Sequence, residues 1–235
     1  MNADFDKNGF ISFYEAHHYA LMSLDTIDEP IKTSGEFLRK IVSYDMLNSE
    51  DLKINRTLSL RQIKKYADLS QKAAIEGLIK KLDLDDDLKP FDLEQLYFTL
   101  KEKADSIDST YGELHDSYKQ VKADLWSFIH NNPDYIALYD EYSPQYVLFC
   151  TDKDKCNKLL KEINKMDDFQ LLKDLYNQKR GLINKYMAAE KKLAKYSRLL
   201  ELLDDVILMQ YFELYAEDSQ KEKLAKILAC ENDGL

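Results

Sequence analysis

The sequence predicts an all-α protein, an elongated helical bundle built on a long antiparallel coiled-coil hairpin. Three observations carry this. Two segments, residues 92–129 and 168–216, repeat apolar residues on a heptad. Gly and Pro are scarce, at six and four in 235 residues, so turns are few and helices long. No run of alternating Val, Ile and Thr marks a strand.

In the first segment Leu93, Leu100, Ile107, Leu114, Val121 and Phe128 recur every seventh residue. Tyr97, Ala104, Tyr111, Tyr118 and Leu125 fill the alternate step. In the second, Leu172, Tyr186, Leu193, Leu200, Ile207 and Leu214 share one position and Leu175, Leu182, Ala189, Tyr196 and Leu203 the other. Lys179 and Gln210 interrupt it. The shorter segment would be about 55 Å long at 1.5 Å per residue, and the chain between them is long enough to turn back and lay one seam on the other. Ile183, Leu199, Leu202, Val206, Leu208, Tyr211 and Phe212 lie off that seam, so a third helix or another subunit is expected to cover them. Glu, Asp and Lys fill the remaining positions and read as a solvated face.

Around the hairpin the chain divides into residues 1–24, a loop with a short helix from Phe13 to about Leu24, and residues 25–91, a small helical base. The hairpin itself is 92–216, with its tip at about 130–167, and 217–235 form a last helix. Capping boxes are expected at Thr33 and Glu36, Ser59 and Gln62, Asp92 and Gln95, and Ser219 and Glu222. Ser70 is expected to cap the helix carrying Ala74, Leu78 and Leu82. At the tip, Asn132 with Pro133 and Ser143 with Pro144 read as caps followed by first-turn prolines.

The net charge of -10 repels phosphate backbones and anionic lipid. No apolar run reaches the roughly 18 residues of a membrane span, and no signal peptide is visible. Nucleic acid is therefore not the expected partner, nor is a membrane. Three Cys (Cys150, Cys156, Cys230) cannot all pair and lack zinc-ligand spacing, which points to reduced thiols in a cytoplasmic setting, with non-classical export leaving no mark to read.

The most specific motif opens the chain. Asp4, Asp6, Asn8, Gly9 and Glu15 fit D-x-[DN]-x-[DN]-G-x5-E. A hard cation of this kind takes six to eight oxygens. Asp4, Asp6 and Asn8 would offer side-chain oxygens, Phe10 its carbonyl, Ser12 a direct or water-mediated contact, and Glu15 both carboxylate oxygens. Gly9 permits the bend between them. The stretch resembles the EF-hand calcium loop, and the resemblance implies calcium as the cofactor. It departs from the family in having only Met1 to Ala3 ahead of Asp4, too few for an entering helix, so a weak site is expected, or a chain that begins inside a longer polypeptide. A second acidic run, Asp83, Asp85, Asp87 and Glu94, repeats the ligand spacing, but Leu88 replaces the glycine and the run reads as an acidic linker. Glu15 with His18 makes a single Glu-x-x-His step, and His17 and His18 read as surface histidines.

Two further resemblances bear on function. Residues Met22 to Arg39, MSLDTIDEPIKTSGEFLR, joined to the loop before them, are similar to sequence downstream of the catalytic domain in some bacterial caspase- or legumain-like cysteine peptidases. That implies an accessory region whose catalytic residues lie elsewhere. Residues 59–82 resemble a helix-turn-helix, with Lys72, Lys80 and Lys81 as phosphate contacts, while Asp68 in the turn and Glu76 on the helix oppose a DNA role; a two-helix packing unit explains the same apolar residues. At the hairpin tip, Tyr135, Tyr139, Tyr142 and Tyr146 either anchor a protein partner or close a local core.

No His-Glu-x-x-His, phosphate loop or nucleophile motif occurs. The expectation is a non-catalytic, calcium-binding helical interaction module with a protein partner, able to form a homo-oligomer through its coiled coil. The alternatives are the carboxy-terminal accessory region of a larger enzyme such as a caspase-like peptidase, and a helix-turn-helix DNA-binding regulator.

Overall fold

In a computed structural model, which describes residues 3–42, 53–132 and 151–233, every regular element is an α-helix apart from one 3₁₀ turn, and no strand occurs among the described residues. The helices are α1 (Phe13–Ser23), α2 (Thr33–Ile41), α3 (Leu60–Ile63), α4 (Leu69–Leu82), α5 (Pro90–Asn131), α6 (Lys153–Ile163), α7 (Asp167–Tyr215) and α8 (Asp218–Glu231). Lys64–Tyr66 is the 3₁₀ turn after α3. The two heptad segments are thus each one long helix, α5 and α7, and α5 packs on α7.

The chain forms two compact units. Met1–Glu102 with Ala189–Leu235 makes unit 1, and Lys103–Ala188 makes unit 2. The two long helices contribute to both, so the compact units cut across the hairpin that the heptads delimit.

Unit 1 holds the main core. The C-terminal half of α7 is buried nearly all round, with Leu199, Leu202, Leu203, Val206, Ile207, Leu208 and Phe212 packed among Leu21, Leu38, Leu60, Ile63, Ile75, Leu78 and Leu93. The off-seam apolar residues of α7 here are covered by α1 to α4 of the same chain, which is the third layer that their breadth requires. Ile183, in unit 2, stays exposed. In unit 2 the seam residues of α5 and α7 are mostly half-buried, because two helices alone cannot enclose both sides of a seam. Their contacts run in opposite order, His115 beside Lys179 and Thr110 sharing a groove with Lys185, so the pair is antiparallel. Leu214, at the last heptad position, is 57% exposed and leaves the seam.

Both seam interruptions have partners. Gln210 Oε1 accepts the Ile54 amide at 2.9 Å, fixing an irregular segment against α7. Lys179 lies among Tyr111, Tyr118 and His115.

Several helix starts differ from the sequence expectation. The Ser59 and Gln62 box is present. Thr33 lies inside α2, whose cap position is Lys32 with no side-chain bond; instead Glu231 of α8 accepts the Ser34 amide at 2.8 Å. The cap of α4 is Asp68 with Gln71, because Ser70 is turned inward to His18. The cap of α8 is Glu217 with Gln220, not Ser219 with Glu222. Pro90 starts α5, and Asp92 reaches back to the Lys89 amide at 2.8 Å instead of capping. The expected caps at Asn132 with Pro133 and at Ser143 with Pro144 reach into residues outside those described.

Helices α1 and α4 meet at Gly77, where a Cβ would fall 2.9 Å from Met22 Sδ and 3.1 Å from Met22 Cβ. A valine there must push α1 away, and Gly77→Val is expected to lose about 1–3 kcal/mol from overpacking. Gly77→Ala should be milder, since alanine recovers about 1 kcal/mol of helix propensity. Urea midpoints of the two variants check the order.

Candidate metal centre

The N-terminal loop is wound around one carboxylate. Glu15 is 6% exposed, and its Oε1 accepts the amides of Phe5 at 2.8 Å and Asp6 at 3.3 Å. Its Oε2 accepts the Ser12 amide and the Ser12 hydroxyl, both at 3.1 Å. Ser12 in turn caps α1 by accepting the Glu15 amide. One pair of residues therefore starts the helix and closes the loop. Burial would raise the Glu15 pKa, but the hydrogen bonds from Ser12, Phe5 and Asp6 outweigh it and hold the carboxyl below its ordinary range.

The other ligand candidates are organised by backbone donors. Asp4 accepts the amides of Asn8 and Gly9, each at 3.1 Å, across the bend. Asp6 accepts the Asn8 amide at 3.0 Å and its side-chain Nδ2 at 2.8 Å. Asn8 Oδ1 accepts the Phe10 amide at 2.8 Å. Gly9 has φ +90 and Lys7 φ 61, so the chain turns twice through the left-handed region. Glycine takes this at no steric cost.

One oxygen each from Asp4, Asp6 and Glu15 lies within 4.8 Å of the others. Oxygens this close could share one metal ion among the three carboxylates. Among the described residues, no ion pair neutralises them. Three uncompensated charges this close favour a cation. Asn8 and Ser12 already spend their side chains on the loop's own hydrogen bonds, so a water-mediated contact suits Ser12 better than a direct one.

Beneath the loop, α1 carries a polar cluster that sequence reasoning missed. His18 is fully buried rather than a surface residue. Its Nδ1 lies 3.1 Å from Ser70 Oγ and its Nε2 3.5 Å from Lys32 Nζ. Ser70 donates to Asp68 Oδ1 at 2.8 Å, and Tyr14 donates to Asp68 Oδ2 at 2.6 Å. With the Ser70 proton committed to Asp68, the arrangement satisfying every atom places the His18 proton on Nδ1, and Lys32 donates to Nε2. Burial, then Lys32 and His17, hold His18 well below its ordinary value, and burial with Lys32 and Arg39 brings His17 down to about 4. Burial and the neighbouring Asp68 push the Tyr14 hydroxyl up. Lys32 and Arg39 both pair with the buried Asp205, at 3.2 and 2.9 Å.

A groove of about 590 Å³ opens beside this cluster, lined by Phe13, Tyr14 and His17 of α1, Ile31 to Thr33, and Lys226, Ile227, Cys230 and Glu231 of α8. Phe13 is 53% and Ile31 71% exposed. The Phe13 amide donates to the Asp233 carbonyl at 3.3 Å, so the end of α8 lies against the start of α1.

The remaining candidates are dispersed. In the second acidic run Asp83 ends α4 with φ 55, Asp85 accepts the Asp87 amide, Asp87 pairs with Arg61, and Glu94 pairs with Arg56. Arg56 also binds Asp204. In the helix-turn-helix candidate α3 is one turn long, Lys72 and Lys80 are exposed, and Lys81 donates to the Ser23 carbonyl at 3.1 Å. Tyr135, Tyr139, Tyr142, Tyr146 and Cys150 lie outside the described residues. Cys156 is half-buried, and Cys230 is exposed and unpaired. Among the described residues no helix is long and apolar enough to cross a membrane. Comparison of the chain with protein-family models, with curated proteins and with solved structures finds no match.

Proposed function

We propose that this chain is a non-catalytic helical interaction module whose N-terminal EF-hand-like loop binds calcium. The observation that carries the reading is the gathering of Asp4, Asp6 and Glu15 oxygens within 4.8 Å on a loop that fits the twelve-residue calcium spacing. All the donors are hard oxygens, which suit calcium and disfavour soft metals. In this reading Glu15 closes the shell, Asp4 and Asp6 open it, and the Phe10 carbonyl and a water held by Ser12 complete it. Because Glu15 also starts α1, an ion bound there would steady the helix that carries Tyr14, His17 and His18. The exposed Phe13 and Ile31 at the neighbouring groove support a protein-binding role.

For a dissociation constant on the order of 0.1–1 mM, 10 mM calcium would stabilise the fold by about 1.4–2.7 kcal/mol. The melting temperature should rise by several degrees, at roughly 2–4 °C per kcal/mol. Calorimetric titration should show one site. Glu15→Gln and Asp6→Asn should each abolish the heat and the thermal shift. Asp6→Asn is the cleaner variant, since an asparagine oxygen can still accept the Asn8 amide. Absence of both signals in the unmodified chain would sink the reading.

A further inference from the structure

Lys179 is a cation at a seam position that other heptads fill with apolar side chains. Its surroundings in unit 2 account for it. Lys179 Nζ lies 4.3 Å from the Tyr118 ring centroid and 5.4 Å from that of Tyr111, both within cation–π range. It also lies 2.6 Å from His115 Nδ1. The His115 ring stacks on Tyr111 with centroids 5.8 Å apart and planes 10° apart. An ammonium has three donors and no acceptor, so at this distance Nδ1 must be the acceptor. His115 is then neutral, with its proton on Nε2.

We propose that His115 and Lys179 form an acid-released latch on the α5–α7 seam of unit 2. Neutral His115 accepts from Lys179 and holds it between the two tyrosines. A proton added at Nδ1 removes the acceptor and sets two cations against each other, expelling Lys179 and loosening the helix pair around it. A single polar residue at a seam position commonly fixes register, so expulsion also releases the constraint on how α5 and α7 align.

The groups facing His115 support this direction. Burial disfavours its charged form first, Lys179 across the seam and Lys119 along α5 add repulsion, and Asp116 on α5 opposes them. The net effect holds the ring below its ordinary value. Between that lowered value and the ordinary histidine value of about 6.5, the unfolded chain binds more protons than the folded one. Stability from the latch is therefore complete above that ordinary value and declines as pH falls below it.

The test uses the full chain, with ring-nitrogen NMR of His115 and amide hydrogen exchange corrected for intrinsic rates, at pH 7 and at about pH 5.5, one unit below the ordinary value. The expected results are an unprotonated Nδ1 at pH 7 and a loss of amide protection in α5 and α7 flanking the pair on acidification. Lys179→Met, which leaves no cation to repel, and His115→Gln, which keeps an acceptor that cannot titrate, should both retain protection at the lower pH. A proton on Nδ1 at pH 7 overturns the proposal. So does loss of protection in either variant equal to that of the parent. The NMR result needs no variant, so a misfolded variant leaves the test intact.

Discussion

Replacing Arg198 with alanine is expected to remove about 3–5 kcal/mol of stability, since hydrogen bonds to a charged donor contribute about 1.5–3 kcal/mol each and several are lost together. Arg198 is fully buried in α7, and its guanidinium donates to the carbonyls of Leu21 at 3.4 Å, Leu24 at 2.9 Å, Thr26 at 2.9 Å and Asp28. These belong to the end of α1 and to the irregular stretch leading to α2, which has no ladder of its own to satisfy its carbonyls. A planar fork with five donors can serve four acceptors at once. Alanine would strip the donor from the buried Leu21 carbonyl, at about 1–3 kcal/mol before relaxation, and from the part-buried carbonyls of Leu24, Thr26 and Asp28, which water can reach in its place. Arg198→Lys should lose less than alanine, since it keeps the charge but concentrates three donors at one point. The stretch also ends in Lys32, so its release should disturb the Lys32 contacts with His18 and Asp205. Lys32→Met combined with Arg198→Ala should therefore destabilise by less than the sum of the two singly. Urea unfolding at pH 7 measures all four variants, and a loss under 1 kcal/mol for Arg198→Ala would contradict the role given to the fork.

The legible parts of this fold were those with a period. Heptads placed α5 and α7 to within about two residues at each end, the usual blur of helix boundaries. The off-seam apolar residues announced the layer covering α7 in unit 1. Caps were less legible because candidates cluster. Asp68 and Ser70 are both good cap residues, and only the burial of Ser70 against His18 decides between them; at α8 the cap falls on Glu217, outside the preferred cap residues, so Ser219 was the more legible choice. The buried charges were not legible at all. Arg198, Asp204 and Asp205 occupy positions that pattern alone assigns to a solvated face, and what covers them is irregular chain around residues 24–32 and 53–58, which has no periodicity to give it away.

The loop shows a different limit. Ser12 and Glu15 satisfy the capping-box spacing and also the ninth and twelfth positions of the calcium spacing, so each reading explains the same two residues. Asp4, Asp6 and Gly9 separate them. A capping box needs none of these three, whereas the two aspartates and the turn at Gly9 are what bring a third and fourth oxygen toward Glu15.

Acidification below about pH 6.5 should destabilise the unit containing α1 through its buried histidines. His18 is buried neutral, its ring 4.4 Å from that of Tyr14 and 5.4 Å from that of His17, with Lys32 at its Nε2. Its folded pKa lies well below the ordinary value. In the unfolded chain it titrates near 6.5. Between these values the unfolded state holds the extra proton, so stability rises with pH in this window and is fully present above about 6.5. At pH 5 the loss from one such histidine is at most about 2 kcal/mol, the ceiling set by 1.36 kcal/mol per unit over about 1.5 units. His17, brought down to about 4, acts in the same direction. Asp204 and Glu201, both raised by burial, act oppositely, because the folded state takes up their protons more readily. His18→Gln keeps a hydrogen-bonding group toward Ser70 and cannot titrate. Urea midpoints at pH 7, 6 and 5 should fall less steeply for it than for the parent chain, with the His18 share of the pH 7 to pH 5 difference gone. An unchanged slope would mean that the buried histidine takes its proton in place, and that Lys32 gives up the Nε2 contact without cost.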